Sequence, residues 1–320
     1  MGLARLFFSF FTGDRMSQSE NWSEYWQHES AKGEVFVDKS GNKHPQLAEF
    51  WEQLFSNFQS TDRIVDLASG AGSIFNSVKH QKFSKLHAVD ISNVALKRLQ
   101  KDIPQAQVQV GSCSKLPSPD ACFDHVLSQF GIEYSTENGF YEALRIMDFK
   151  GDFTALVHYK DGYIDDRNAT ELEGVELLID GSFVDIATKI ASAFKSKNTT
   201  LIQSSVQEFS SIEPLVYAYC EKHDSGIPAH CYNGCKRLLQ EYAKYDHEDV
   251  IEWFKNMQQE LKQAQVRLIN MRSVAFSKNR MSKMVEILVK KGAKNISAEP
   301  FILVHHDKPV AWLLKFKKET

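Results

Sequence analysis

Two hydrophobic rhythms divide this chain. From about residue 63 to 159, short apolar runs rich in β-branched residues alternate with polar, glycine-containing breaks. Ile64, Val65 and Leu67 form the first run and 86–89 the second; a third precedes Gly111, a fourth is HVLSQF and a fifth is DFTALVHY. Runs this short and this continuously apolar predict buried parallel strands. FYEALRIM, between the last two, carries the three- and four-residue spacing of an amphipathic helix, and Phe149, Lys150, Gly151 and Asp152 are expected to turn the chain into the fifth strand. From Gly162 to Gly292 the strand rhythm stops. TELEGVELLIDGSFVDIATKIASAF, RLLQEYAKY and the long stretch carrying Trp253, Met257, Leu261, Ala264, Leu268 and Met271 all repeat apolar residues at helical steps. Two more runs, 301–304 and 310–316, flank His305, His306, Asp307 and Lys308 and predict a closing hairpin whose histidines face solvent. Ahead of all this, Pro45 starts a predicted helix with an apolar stripe of Leu47, Phe50, Trp51, Leu54 and Phe58, preceded by Trp22, Tyr25 and Trp26 at helical spacing.

The first break shows what the pattern is for. In RIVDLASGAG the strand ends in Asp66 and passes into Ser69, Gly70, Ala71 and Gly72, after which Ile74 and Phe75 are expected to open a helix. Glycines there let backbone amides approach a ligand, and a following helix would present free donors. The second strand ends in Asp90, where a carboxylate can accept both hydroxyls of a ribose; its plainer alternative is a cap for the helix from Asn93. A nucleoside-containing ligand follows. The dinucleotide pattern G-x-G-x-x-G requires a third glycine where Phe75 stands, which disfavours NAD, and the nucleotide-triphosphate P-loop string does not occur.

VDLASGAG, then VDIS, then VGSCSKLPSPDACFDHVLSQFGIEY, in that order, resemble the successive cofactor motifs of the class I S-adenosylmethionine-dependent methyltransferases. The resemblance implies an α/β fold, a doubly wound seven-stranded mostly parallel sheet with S-adenosyl-L-methionine across the carboxyl ends of its first strands. It places Asp66, Ala68, Gly70 and Gly72 at the methionine and ribose end, Asp90 and Ile91 at the ribose, Ser112 and Cys113 at the adenine, and Ser128 and Phe130 beside the cofactor from the fourth strand. Two positions depart from the family pattern. Ala68 stands where glycine is usual and narrows the room beside the cofactor, and Ser112 replaces an acid with an uncharged hydroxyl. In similar methyltransferases an aromatic amino-terminal segment folds over the cofactor, a role open to Trp22 and Trp26, whose ring faces would also attract a sulfonium cation. The Asn/Asp-Pro-Pro-Tyr loop of base-modifying relatives and the Pro-Cys nucleophile of cytosine methylation are both missing after the fourth strand, which disfavours nucleic-acid bases. Tyr134 is expected to border the substrate. His158, at the end of the fifth strand, is the candidate base, against the plainer reading of a hydrogen-bonded structural histidine.

Composition narrows the class further. With 320 residues, 42% hydrophobic and 25% charged, the chain can bury one large core or a core plus a cap, and a net charge of −3 gives no nucleic-acid footprint. No run reaches membrane-spanning length, and five cysteines without regular spacing fit reduced thiols in a cytoplasm. Cys220, His223, His230, Cys231 and Cys235 share one window, but their spacing matches no familiar zinc site; an interhelical loop with buried cysteines is expected and no metal is assigned. The expected organisation is a non-native or disordered extension over 1–20, with the natural start at Met16, a methyltransferase core over 21–161, a helical cap over 162–292 inserted between strands five and six that shapes the substrate pocket, and the hairpin over 293–320. The expected activity is methyl transfer to a small-molecule or carrier-bound metabolite by a cytoplasmic enzyme without nucleic-acid partners or stable membrane insertion. A nucleotide-binding oxidoreductase and a non-catalytic cofactor-binding relative are the alternatives; oligomeric state is not legible.

Overall fold

The computed structural model describes residues 22, 23, 25, 26 and 44–318; the readings made for 1–20 lie outside them. Seven strands form one sheet in the order β3-β2-β1-β4-β5-β7-β6. They are β1 (Arg63–Leu67), β2 (Lys85–Asp90), β3 (Gln107–Val110), β4 (Phe123–Gln129), β5 (Met147–His158), β6 (Ala293–Phe301) and β7 (Ala311–Lys318). β1 pairs in parallel with both β2 and β4, and β2 with β3. The neighbours β6 and β7 are joined by 302–310 alone, too short for a crossover, so they run antiparallel and the sheet is mixed. The chain order reverses direction across the sheet between β1 and β4, which is where an open α/β sheet leaves a crevice at its strand ends.

The chain divides into two compact units, one from Met1–Ala155, Leu288–Ile296 and Lys315–Thr320, the other from Leu156–Ile287 and Ser297–Leu314. In the first, α1 (Pro45–Phe55) buries Leu47, Trp51 and Phe55, and Phe55 meets Phe75 and Phe83 edge-on. α2 (Asn93–Asp102) follows β2 and turns Ala95, Leu96 and Leu99 inward, and α3 (Thr136–Ile146) follows β4. At the amino-terminal strand ends, Arg63 binds Asp124 and Asp148, and His125 lies between Asp62 and Asp152, each ring nitrogen 3.0 Å from a carboxylate, with its face on Phe58 at 3.5 Å. The second unit holds α4 (Tyr163–Asp180), α5 (Phe183–Ser196), α6 (Thr199–Lys222), α7 (Gly226–Gln240) and α8 (His247–Val274) around a core of their own. In the chain these helices, with α9 (Lys278–Lys290), stand between β5 and β6.

Several local expectations are corrected. No α-helix opens at Ile74: the connection from β1 to β2 holds only two single 3-10 turns, Phe75–Ser77 and His80–Lys82. Asn76 Nδ2 donates to Ala71 O at 3.2 Å and Ser77 Oγ to Ser73 O at 2.7 Å, and Val78 is already extended at φ −124°. Asn and Ser side chains here take carbonyls that a helical ladder would use, while Ile74, Phe75 and Val78 bury their apolar groups all the same. The turn expected at 149–152 lies inside β5, absorbed by Lys150 in the left-handed region at φ 68°. β6 begins well before the expected 301–304; Ile302 and Val304 fall in the connecting loop and are exposed. α1 stops at Phe55, leaving Phe58 to stack on His125. The cysteine and histidine window is mostly helical, with Cys220 in α6 and Cys231 and Cys235 buried one turn apart in α7. Among the described residues no group of three or more His, Cys, Asp or Glu side chains could hold a metal, and no helix is long and apolar enough to cross a membrane.

Candidate active site

β1 hands the chain to a turn that only special backbone geometry allows. Ala68 and Gly70 are both left-handed, at φ 55° and 53°, and Gly72 follows at 90°. A side chain on Gly70 would put its Cβ 2.7 Å from the ring of Trp26, so this glycine is needed both for its φ and for its contact. Gly72 serves packing: its Cβ would lie 2.9 Å from Leu99 Cγ, which lets the turn settle on α2.

Asp90 fastens this turn to the next element. One carboxylate oxygen accepts from Gly70 N and the other from Ser92 N, both at 2.8 Å. Burial pushes the Asp90 acid up, against the pull of the Ser92, Gly70 and Ile91 amides. Each oxygen keeps a further lone pair, so the two backbone bonds orient the carboxylate without exhausting it. Ser92 caps α2 by accepting from Ala95 N at 3.3 Å, and Ser23 Oγ donates to Ser92 Oγ at 3.2 Å, which ties the helical turn of Trp22 and Trp26 to the same corner.

These groups line one cavity at the carboxyl ends of β1, β2 and β4. Its floor is the turn from Ala68 to Gly70 with Ser73; Asp90 and Ile91 form one side, Ser112 and Cys113 another, and Gln129, Phe130, Gly131, Tyr134 and Ser135 a third. Trp22 and Trp26 complete it, with Trp22 meeting Tyr134 edge-on at 5.4 Å. Cys113 is buried; loss of water, helped by the Asp90 charge, pushes its thiol up to about 12, so it stays protonated at neutral pH. Ser112 is held within its own turn, 2.7 Å from Ser114 Oγ and accepting from Ser114 N. α3 fixes that loop from behind: Leu116 N donates to Glu142 at 2.8 Å, while Arg145 donates to Leu116 O and Ser118 O.

Of the residues singled out from sequence, Ala68, Gly70, Asp90, Ile91, Ser112, Cys113, Phe130 and Tyr134 meet at this cavity. Asp66, Gly72 and Ser128 do not line it. Asp66 is buried in β1 behind the wall, and Ser128 spends its hydroxyl on the backbone, donating to Leu67 O at 2.7 Å and accepting from Ile132 N at 3.1 Å. His158 belongs to the second unit, where it is buried and its carbonyl accepts from Phe276 N at 2.8 Å. The structure adds Ser69, Ser73, Gln129, Gly131 and Ser135. Gln129 carried a readable signal, a long polar side chain closing an apolar strand; the serines carried none.

Ala68, the departure from the family pattern, has a geometric counterpart. A Cβ on Gly131 would fall 2.5 Å from Ala68 Cβ and 2.8 Å from Ala68 O, so the methyl group occupies room left by a glycine across the cavity wall.

Residues 64–149 match a methyltransferase domain family, and no curated protein matches the chain. Among solved structures, a putative S-adenosyl-L-methionine-dependent methyltransferase from Methanococcus maripaludis is 14% identical over 96% of this chain and 97% of its own, at a TM-score of 0.40. A geranyl diphosphate C-methyltransferase from Streptomyces coelicolor A3(2), in complex with Mg2+, geranyl diphosphate and S-adenosyl-L-homocysteine, is 16% identical over 44% of this chain and 65% of its own, at a TM-score of 0.36. A geranyl diphosphate methyltransferase bound to its diphosphate and sinefungin is 17% identical over 36% and 46%, at a TM-score of 0.32, so this chain spans about half that protein's length. The segment 64–149, which carries β1 to the start of β5, is the part of this chain that is similar to a methyltransferase domain.

Proposed function

We propose that this protein transfers the methyl group of S-adenosylmethionine to a small-molecule or carrier-bound acceptor by in-line displacement. The observation that carries the reading is a cavity with a ribose-binding acid beside a first turn that no α-helix follows. Among its described lining residues Asp90 is the one charged side chain, and no lysine, arginine or histidine faces it. A doubly wound dinucleotide site seats its pyrophosphate on the N-terminus of the helix after β1, and here that connection holds only two single 3-10 turns; a single nucleoside held through its ribose at Asp90 needs no such seat.

S-adenosylmethionine supplies a methyl group already activated by its positive sulfur. The chain's contribution is then to hold, align and keep dry. Asp90, oriented by Gly70 and Ser92, would accept the ribose hydroxyls. Ile91, Ser112 and Cys113 would flank the adenine, and Phe130, Tyr134 and the indoles of Trp22 and Trp26 would cover the reacting end and exclude water. A protonated Cys113 does not attack an acceptor, and the reading requires no dedicated base. Choice of acceptor is assigned to the helical insertion, which lies outside the matched domain.

The test is transfer of labelled methyl from S-adenosylmethionine to a dialysis-separated extract. Label in the small-molecule or carrier-protein fraction supports the reading. Label in RNA or DNA overturns the acceptor class, and cofactor binding without transfer to any fraction overturns the activity.

A further inference from the structure

Gln129 ends β4 on the cavity wall, and its amide is held in one orientation. The indole Nε1–H of the fully buried Trp51 donates to Gln129 Oε1 at 2.5 Å. An indole nitrogen only donates, so it must face the amide oxygen, and the amide nitrogen must face the other way. That nitrogen donates to Ser73 Oγ at 3.0 Å, and Ser73 also lines the cavity. An amide nitrogen carries two hydrogens. The second is the one available to a ligand.

We infer that Gln129, aimed by Trp51, is a positioning residue that donates a hydrogen bond to the amino-acid carboxylate of the cofactor. This rests on the proposed cofactor. Two features select that oxygen. β4 and β2 flank β1 on opposite sides, so with strands about 4.8 Å apart Gln129 stands on the order of 10 Å from Asp90, comparable with the reach of the thioether chain beyond a ribose held at Asp90. And because no cation lines the cavity among the described residues, a carboxylate must be received by neutral donors, of which Gln129 is the carboxamide already fixed in place.

The experiment compares S-adenosylhomocysteine with 5′-methylthioadenosine, which has the same nucleoside and thioether and no amino-acid group, by calorimetric titration of the full chain. Gln129→Glu keeps an oxygen for the Trp51 indole and replaces the donor by a repelling carboxylate. It is expected to weaken S-adenosylhomocysteine at least tenfold and to change methylthioadenosine by less than about twofold. Gln129→Met, which removes the donor at similar length, is expected to give the same one-sided loss if the charged variant fails to fold, and Trp51→Phe a smaller one through loss of aim. Equal losses for both ligands, or none for either in both Gln129 variants, overturn the inference and leave the cofactor reading intact. Failure of the wild-type protein to bind either ligand overturns the cofactor reading and the inference together.

Discussion

Replacing Gly131 by alanine isolates the steric logic of the cavity. The added Cβ would lie 2.5 Å from Ala68 Cβ and 2.8 Å from Ala68 O, and neither atom is the end of a flexible side chain. Gly131 itself sits at φ −142°, outside the left-handed region, so the penalty worked out here is that of the overlap. Forced overpacking of one methyl group costs about 1–3 kcal/mol. Ala68, at φ 55°, already bears left-handed strain of about 1–2 kcal/mol, of which Ala68→Gly would relieve a part, offset by about 0.5–1 kcal/mol from the freer unfolded chain. Ala68→Gly alone should therefore be neutral to mildly stabilising. In the double variant the Cβ–Cβ overlap vanishes while the contact with the carbonyl of residue 68 stays, so part of the Gly131→Ala loss returns, with a coupling of about 0.5–2 kcal/mol. Urea denaturation followed by tryptophan fluorescence reads all four proteins, and S-adenosylhomocysteine affinity should fall and recover in parallel, since both residues line the cavity. A Gly131→Ala loss below about 0.5 kcal/mol, or strict additivity of the two substitutions, would refute the reasoning.

Other sites give equally direct outcomes. Gly70→Ala meets both a left-handed φ and the Trp26 ring, so it should destabilise by about 1–3 kcal/mol and abolish cofactor binding; full affinity in a calorimetric titration would contradict the site. His125 is disfavoured as a cation by burial, but its bonds to Asp152 and Asp62 outweigh this and raise its pKa. The stabilisation from the bound proton is then full below the unfolded histidine value near 6.5 and fades as pH rises through the higher folded value. Denaturation midpoints should fall across that window and flatten in His125→Gln, and a wild-type profile without that fall would dismiss the arrangement. The native Cys113 thiol, protonated and buried, should resist iodoacetamide at pH 8 and react once urea unfolds the chain; peptide mass mapping of rapid native alkylation there would count against the site as described.

What the sequence disclosed and what it hid have separate physical causes. The strands were legible because buried parallel strands need continuous apolar runs, and the ligand turn because Gly70 and Gly72 break one at a place where side chains do not fit. The missing helix after β1 was not legible: Ile74, Phe75 and Val78 are spaced as a helix would space them, while short polar side chains at Asn76 and Ser77 redirect the hydrogen bonds. A period-based reading cannot weigh that competition. β6 was misplaced because AKNISAEPF has no apolar run, its large apolar residues being Ile296 and Phe301 alone, as suits the last strand of a sheet. In the cavity, Asp90 and Gly70 announced themselves, whereas the orientation of Gln129 and the place of Ser73 depend on Trp51, distant in sequence and adjacent in space.

The central claim is that the cavity beside Gly70 and Asp90 holds S-adenosylmethionine and not a dinucleotide. Calorimetric titration of the full chain with S-adenosylmethionine, S-adenosylhomocysteine and NADH tests it most directly. The account predicts micromolar binding of the first two, weakened about tenfold or more by Asp90→Ala, and no heat from NADH. Tight NADH binding with silence from both adenosyl compounds would contradict it.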